Sequence, residues 1–169
     1  HQDIEVLELG FDERPGESFL DSLMEFEDAA DAAQTYLLDN YRQYPFMYAP
    51  AYRQIFDQLL DGKRIVIHCT AGKDRAGLAS ALVLRALGVR KEIVLSDYLL
   101  TNEHWDRGGR EHPGMDPATV AMIFSAREDY FRSAFDGIAE RYDTLQEYLT
   151  HEVGLSEPER AQLQHMYLE

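Results

Sequence analysis

Cys69 is the only cysteine in the chain, and five residues separate it from Arg75. Both lie in IVIHCTAGKDRAG, residues 65–77, where a β-branched apolar run meets a turn carrying Gly72, Lys73, Asp74 and Gly77. If a strand ends at Cys69 and a helix begins near Arg75, the intervening Thr70, Ala71, Gly72, Lys73 and Asp74 can wrap their backbone N–H groups around one point. A nest of that kind at a helix N-terminus binds an anion. Cys69 stands at its base, where the N–H groups, the helix dipole and Arg75 all favour thiolate over thiol. The planar fork of Arg75 can grip two phosphate oxygens and hold them as charge shifts during a reaction. A nucleophile beneath an oxyanion cradle suits attack of sulfur on phosphorus. The competing reading is a core cysteine beside a solvated turn, which leaves Lys73, Asp74 and Arg75 unexplained so close to a buried strand end.

HCTAGKDRAG closely resembles the signature of the cysteine-dependent phosphatases of the protein tyrosine phosphatase superfamily. Its Ala-Gly-Lys-Asp-Arg version is similar to the bacterial branch related to mycobacterial tyrosine phosphatase B, whose members act on phosphotyrosine and often on phosphoinositides. ALGVRKEIVLSDYLLTNEH and RYDTLQEYLTHEVGLSEPERAQL extend the resemblance, which runs from about residue 36 onward. It implies that Cys69 is the nucleophile. The backbone of Thr70, Ala71, Gly72, Lys73, Asp74 and Arg75, with the Arg75 side chain, would hold the phosphate. Lys73 matches a lysine that favours highly anionic substrates such as inositol phosphates. Asp74 matches a loop aspartate that acts as general acid or base, and His68 a histidine that orients the loop and helps keep the thiolate. No metal or other cofactor is implied, because the loop and Arg75 supply the positive charge. The family usually has Thr or Ser directly after the arginine; this chain has Ala76. That hydroxyl eases departure of the sulfur, so hydrolysis of the phosphoenzyme is expected to be slow. The Asn-Phe-Arg-Asp motif and the Asp-Leu-Arg strand of the family's N-terminal stretch are also absent from the sequence.

Other polar residues are weaker candidates. Asp74 has the alternative of bracing Arg75 through an ion pair. Asp12 suits a turn residue before Pro15 better than a mobile acid. His104, Trp105 and His112 flank the glycine-rich DRGGREHPG stretch, which serves equally as a pocket lining or an exposed connector. Asp97 and Asn102 are expected to cap and pack between helices. The histidines and the single cysteine have no metal-ligand spacing. The ten tyrosines lie mostly at helical spacing and are expected in core and surface positions.

The elements that must position the loop follow from the patterning. DIEVLELGF alternates like a strand. Apolar residues at helical spacing predict a helix over 18–41, with Pro45 as an interruption, and a second helix from Pro50 towards Gly62. RIVIHC, residues 64–69, reads as a buried strand. Helices follow over 76–87 and through KEIVLSDYLLTNEHW, then a loop, then a helix capped by Asp116 and Pro117. Asp143 with Gln146, and Ser156 with Glu159, have the spacing of capping boxes. The total is about seven helices and two strands. Two strands make no stable sheet. The expected fold is therefore α/β and tyrosine-phosphatase-like, with a central, mostly parallel sheet flanked by helices. Residues 1–169 form a single domain, and its missing N-terminal strands are placed upstream of His1.

Composition bounds the partners. Apolar residues make up 45% of the chain, and the net charge is −15. Such a surface repels nucleic acid and anionic membranes, so neither is expected as a partner. Any phosphate site must be a local positive pocket. No apolar run is long enough for a membrane span. One cysteine suits a cytoplasmic or otherwise reducing compartment; secretion stays open, because the sequence begins at His1 without Met. The sequence leaves the oligomeric state undetermined. The expected function is hydrolysis of a phosphomonoester on a phosphorylated protein or phosphoinositide through a cysteinyl-phosphate. Its alternative is a phosphate-binding module or pseudophosphatase with trapped or absent turnover. A third reading, a sulfurtransferase or arsenate reductase, accounts less well for the Lys73-Asp74 pair and the C-terminal helices.

Overall fold

A computed structural model describes residues 4–9, 23, 26–105 and 114–168. The described helices are α1 (Ala29–Met47), α2 (Ala49–Leu60), α3 (Arg75–Ala86), α4 (Lys91–Leu99), α5 (Thr101–His104), α6 (Pro117–Phe124), α7 (Glu128–Ala139), α8 (Leu145–His151) and α9 (Glu157–Tyr167).

Helix α3 is the spine of the molecule. Its sequence, RAGLASALVLRA, is rich in small residues, so neighbours can approach from more than one side. Ala79, Leu82 and Ala86 join a core with Tyr52, Ile55 and Phe56 of α2, Tyr148 and Leu149 of α8 and Leu163 of α9. Leu78 and Ala81 join a second core with Leu37 and Tyr41 of α1, Val94 and Tyr98 of α4, and Tyr130, Phe131 and Ala134 of α7. Helix α1 buries the stripe Ala33, Leu37, Tyr41 and Pro45, and the Ser133 hydroxyl of α7 donates to the Leu38 carbonyl at 2.8 Å.

The expected central sheet is absent among the described residues, and this corrects the fold class read from the sequence. Residues 4–9 and 63–69 run extended but form no ladder. The strand period of 64–69 survives without its partners. Ile65 and Ile67 pack on the core around α3, whereas Val66 is 88% exposed and His68 is exposed. A strand needs a second backbone to take its N–H and C=O groups. Residues 4–9 meet this segment where the Lys63 ammonium lies 3.4 Å from Glu5, and Leu9 packs on the same core as Ile65 and Ile67.

Several boundaries also differ from expectation. Pro45 sits buried in the last turn of α1 instead of breaking it, because only one helical hydrogen bond is forfeited there. Residues 10–22 lie outside the described residues, so the start of the predicted 18–41 helix does too. The last two-thirds of the chain hold two more helices than expected: Leu100 separates α4 from α5, and α6 stops at an extended Ser125 before α7 restarts at Glu128 without any Gly or Pro between them. The cap of α8 is Thr144 with Glu147, one residue past the expected pair, with both reciprocal hydrogen bonds formed. Asp116 caps α6 as expected, accepting from the N–H groups of Ala118 and Thr119. Ser156 and Glu159 form the box that opens α9. The Arg53 guanidinium of α2 donates to Glu159 at 2.8 Å and holds its carboxyl at about 2, well below the usual range. No helix among the described residues is long and apolar enough to cross a membrane.

Candidate active site

The extended segment delivers Cys69, half-buried with a free thiol, to the start of the loop. The chain then turns through Gly72, whose φ of +73° is a conformation that other residues adopt only under strain. At Arg75 it enters α3. The turn brings the two ends of the loop together, and the Arg75 guanidinium donates back across it to the Thr70 hydroxyl at 3.2 Å. Among the described residues, no acceptor takes the backbone N–H groups of 70–77. Those donors, the positive end of α3, the Cys69 thiol and the Arg75 guanidinium all belong to one short loop, and backbone donors left open at a helix N-terminus are the setting in which an anion binds.

The other side of the loop is closed and dry. Lys73 is 2% exposed. Its ammonium donates to the Ile123 carbonyl at 2.6 Å and the Ser125 carbonyl at 3.3 Å, and pairs with Asp74 Oδ1 at 3.2 Å. Two of its three donors are therefore hydrogen-bonded to carbonyls, and its charge is paired with the carboxylate. It also lies 5.9 Å from the centroid of the Tyr130 ring. The carbonyls belong to the C-terminal end of α6 and the residues just after it, where the helix dipole favours a cation.

Asp74 receives a second contact on the same oxygen. The Tyr41 hydroxyl of α1 donates to Asp74 Oδ1 at 2.6 Å and lies 2.8 Å from the Tyr98 hydroxyl of α4. Because the Tyr41 proton points at Asp74, Tyr98 is the donor in the second bond. Gly77 makes the approach of Tyr98 possible, since a Cβ there would stand 3.1 Å from the tyrosine ring. Burial, and after it the neighbouring Asp74 carboxylate and Tyr98, hold the Tyr41 hydroxyl well above the usual tyrosine range. Burial raises Tyr98 as well and pushes Tyr130 up to about 12. Tyr130 stacks on Tyr41 with ring centroids 5.4 Å apart, and its hydroxyl donates to the Met122 carbonyl at 2.9 Å.

Cys69, Thr70, Ala71, Gly72, Lys73, Asp74 and Arg75 thus form one loop, but its side chains divide. Cys69, Thr70 and Arg75 stand on the open side, while Lys73 and Asp74 reach into the core. His68 is exposed, with no hydrogen-bond partner among the described residues. Ala76 is buried in the first turn of α3. His104 is exposed at the end of α5, and the Trp105 ring lies 6.2 Å from that of Phe124. Asn102 clamps the junction of α6 and α7, with its amide donating to the Ala126 carbonyl and accepting the Ala126 N–H, both at 2.8 Å. Asp97 is exposed on α4. Asp12 and His112 lie outside the described residues. No group of three or more His, Cys, Asp or Glu among the described residues could hold a metal ion. Tyr41 and Tyr98 are the site residues that the sequence concealed. Each occupies an apolar helical position, and nothing in their spacing reveals that their hydroxyls meet Asp74.

Comparison with known proteins places this loop in a wider setting. Residues 4–169 match the model of the tyrosine phosphatase family. A provisionally named tyrosine-protein phosphatase of Cupriavidus necator is 30% identical over 161 residues, covering 90% of this chain and 58% of that protein. The triple specificity protein phosphatase PtpB of Mycobacterium tuberculosis is 30% identical over 146 residues, covering 75% of this chain and 52% of that protein. A tyrosine-protein phosphatase of Nostoc commune is 32% identical over 83 residues, 40% of this chain and 28% of that protein. The chain therefore spans about half the length of the first two of these relatives. With its Cys69-to-Arg75 loop at the head of a buried helix, the chain belongs to the tyrosine phosphatase family.

Proposed function

We propose that the chain hydrolyses phosphomonoesters through a covalent phosphate on Cys69. The observation that carries this reading is the half-buried free thiol at the start of a loop that leads into the N-terminus of α3, with Arg75 reaching back across that loop to Thr70. In the first step the thiolate Sγ forms a bond to phosphorus and the bond from phosphorus to the leaving oxygen breaks. The Asp74 carboxylic acid gives that oxygen its proton. The loop N–H groups and Arg75 hold the equatorial oxygens as charge redistributes over them. In the second step water attacks phosphorus, its proton passes to the Asp74 carboxylate, and the sulfur–phosphorus bond breaks to restore the thiolate.

The substrate class is a phosphotyrosine protein, a phosphoinositide or both. The name of the Mycobacterium tuberculosis relative records more than one specificity. In this arrangement Lys73 serves the loop from behind. Contact between its ammonium and a polyanionic substrate would require its bonds to Ile123, Ser125 and Asp74 to break. Ala76 supports a second reading, a phosphate-binding protein with trapped turnover, because it supplies no hydroxyl to the departing sulfur.

Rapid mixing with p-nitrophenyl phosphate, with Cys69→Ser as control, separates the readings. Continued release that vanishes in the variant supports a working phosphatase. A burst of about one equivalent followed by near silence supports attack with a trapped intermediate. No release at all overturns the catalytic reading.

A further inference from the structure

From the hydrogen-bond chain running from Tyr98 through Tyr41 to Asp74, we infer that Tyr41 is a positioning residue that selects which oxygen of Asp74 carries the catalytic proton. The inference rests on the proposal that Asp74 is the proton donor. Asp74 Oδ1 accepts the Tyr41 hydroxyl at 2.6 Å and faces the Lys73 ammonium at 3.2 Å. Among the described residues no hydrogen bond or ion pair is made at Oδ2. An oxygen that accepts a strong hydrogen bond and faces a cation is the poorer seat for a proton, so the acid form of Asp74 carries its proton on Oδ2. When that proton passes to the leaving oxygen, the new negative charge is shared with Oδ1, which is already held. The site therefore needs no rearrangement at the moment of transfer.

The geometry of Tyr41 is fixed independently of Asp74. Its side chain is fully buried, its ring stacks on Tyr130, and its hydroxyl oxygen accepts from Tyr98. Tyr98 is fixed in turn by burial, by the Phe131 ring 5.4 Å away and by its close approach to Gly77 in the first turn of α3. A hydroxyl held in this way has its one proton directed at Asp74. Besides Tyr41 and Lys73, no ionisable side chain among the described residues hydrogen-bonds or ion-pairs with the Asp74 carboxylate.

The test uses kcat/KM for two substrates that differ in leaving group, phenyl phosphate and p-nitrophenyl phosphate. The p-nitrophenolate ion departs readily without a proton, whereas phenolate needs one. Loss of the acid therefore penalises phenyl phosphate selectively. Asp74→Asn is expected to lower the ratio of phenyl to p-nitrophenyl reactivity by on the order of a hundred-fold. Tyr41→Phe, which keeps the ring and the packing, is expected to lower the same ratio by on the order of ten-fold, the effect of losing one hydrogen bond to a charged group. Tyr98→Phe should act in the same direction and more weakly. In the Asp74→Asn background, Tyr41→Phe should leave the ratio where it is, because there is no longer an acid to position. If Asp74→Asn changes the ratio and Tyr41→Phe lowers both substrates equally, Tyr41 is only packing and the inference is overturned. If Asp74→Asn leaves the ratio unchanged, the acid assignment itself is wrong and the role of Tyr41 falls with it.

Discussion

The two sides of one short loop are built on opposite principles. On the open side, Cys69 arrives on an extended segment whose outward residues, Val66 and His68, touch solvent, and Arg75 makes its cross-loop bond at the surface. On the closed side, Lys73 and Asp74 turn towards the second core and find defined partners on α1 and around the end of α6. Exposed ion pairs and hydrogen bonds contribute little to stability, whereas buried ones are costly to break. The loop is therefore held from behind. Its nucleophile and its phosphate-binding donors stay uncommitted because the side chains that could have engaged them are anchored elsewhere.

The largest effect that would test this contrast belongs to the buried ammonium. Lys73→Met leaves the Ile123 and Ser125 carbonyls and the Asp74 carboxylate without their donor. We expect a loss of about 3–5 kcal/mol, read as a lower urea midpoint. A loss within experimental error would mean that the closed side is not what holds the loop. A smaller, pH-dependent effect comes from the tyrosines. The folded state raises Tyr41 and Tyr98, and holds Tyr130 near about 12, while in the unfolded chain tyrosine ionises near about 10. Raised acids favour the folded state while protonated. The tyrosine contribution to stability should thus be flat below about pH 10 and fall as pH rises from there towards 12. Denaturant titrations across that range check it, and Tyr41→Phe should make the fall shallower.

On the open side, Ala76→Ser restores a hydroxyl near the sulfur. It should speed steady-state turnover by roughly ten-fold while leaving the burst unchanged, a difference of one hydrogen bond to a charged group. The smallest effect is expected at Val66. Because its side chain is 88% exposed, Val66→Thr in the 169-residue chain should change stability by less than about 0.5 kcal/mol. A loss of several kcal/mol there would show that this face is covered and would remove the contrast.

Sequence reasoning put Cys69, Lys73, Asp74 and Arg75 in one loop but gave none of the distant partners of Lys73 and Asp74, for physical reasons. Spacing along the chain determines which residues share a loop, and the Cys69-to-Arg75 interval is local. The caps at Asp116 and Ser156 were legible for the same reason, since a cap is made within four residues. The role of Lys73 was not, because its partners lie 50 and 52 residues away and a lysine beside a phosphate loop reads as a ligand. Tyr41 lies 33 residues before Asp74, on a helix whose apolar stripe hides its hydroxyl. The expected sheet failed differently. The alternation of residues 64–69 is real and still sends Ile65 and Ile67 inward, but alternation predicts the faces of a strand and not the presence of a second strand to pair with it.

The central claim is that Cys69 Sγ takes the phosphoryl group. The direct measurement is acid quench within the burst after mixing with radiolabelled p-nitrophenyl phosphate, followed by digestion and location of the label. The account predicts about one equivalent of phosphate on the peptide that contains Cys69. The label should decay more slowly in the native chain than in Ala76→Ser, and Cys69→Ser should yield no p-nitrophenol burst. Release of p-nitrophenol with no labelled peptide, or with the label on another residue, would contradict it.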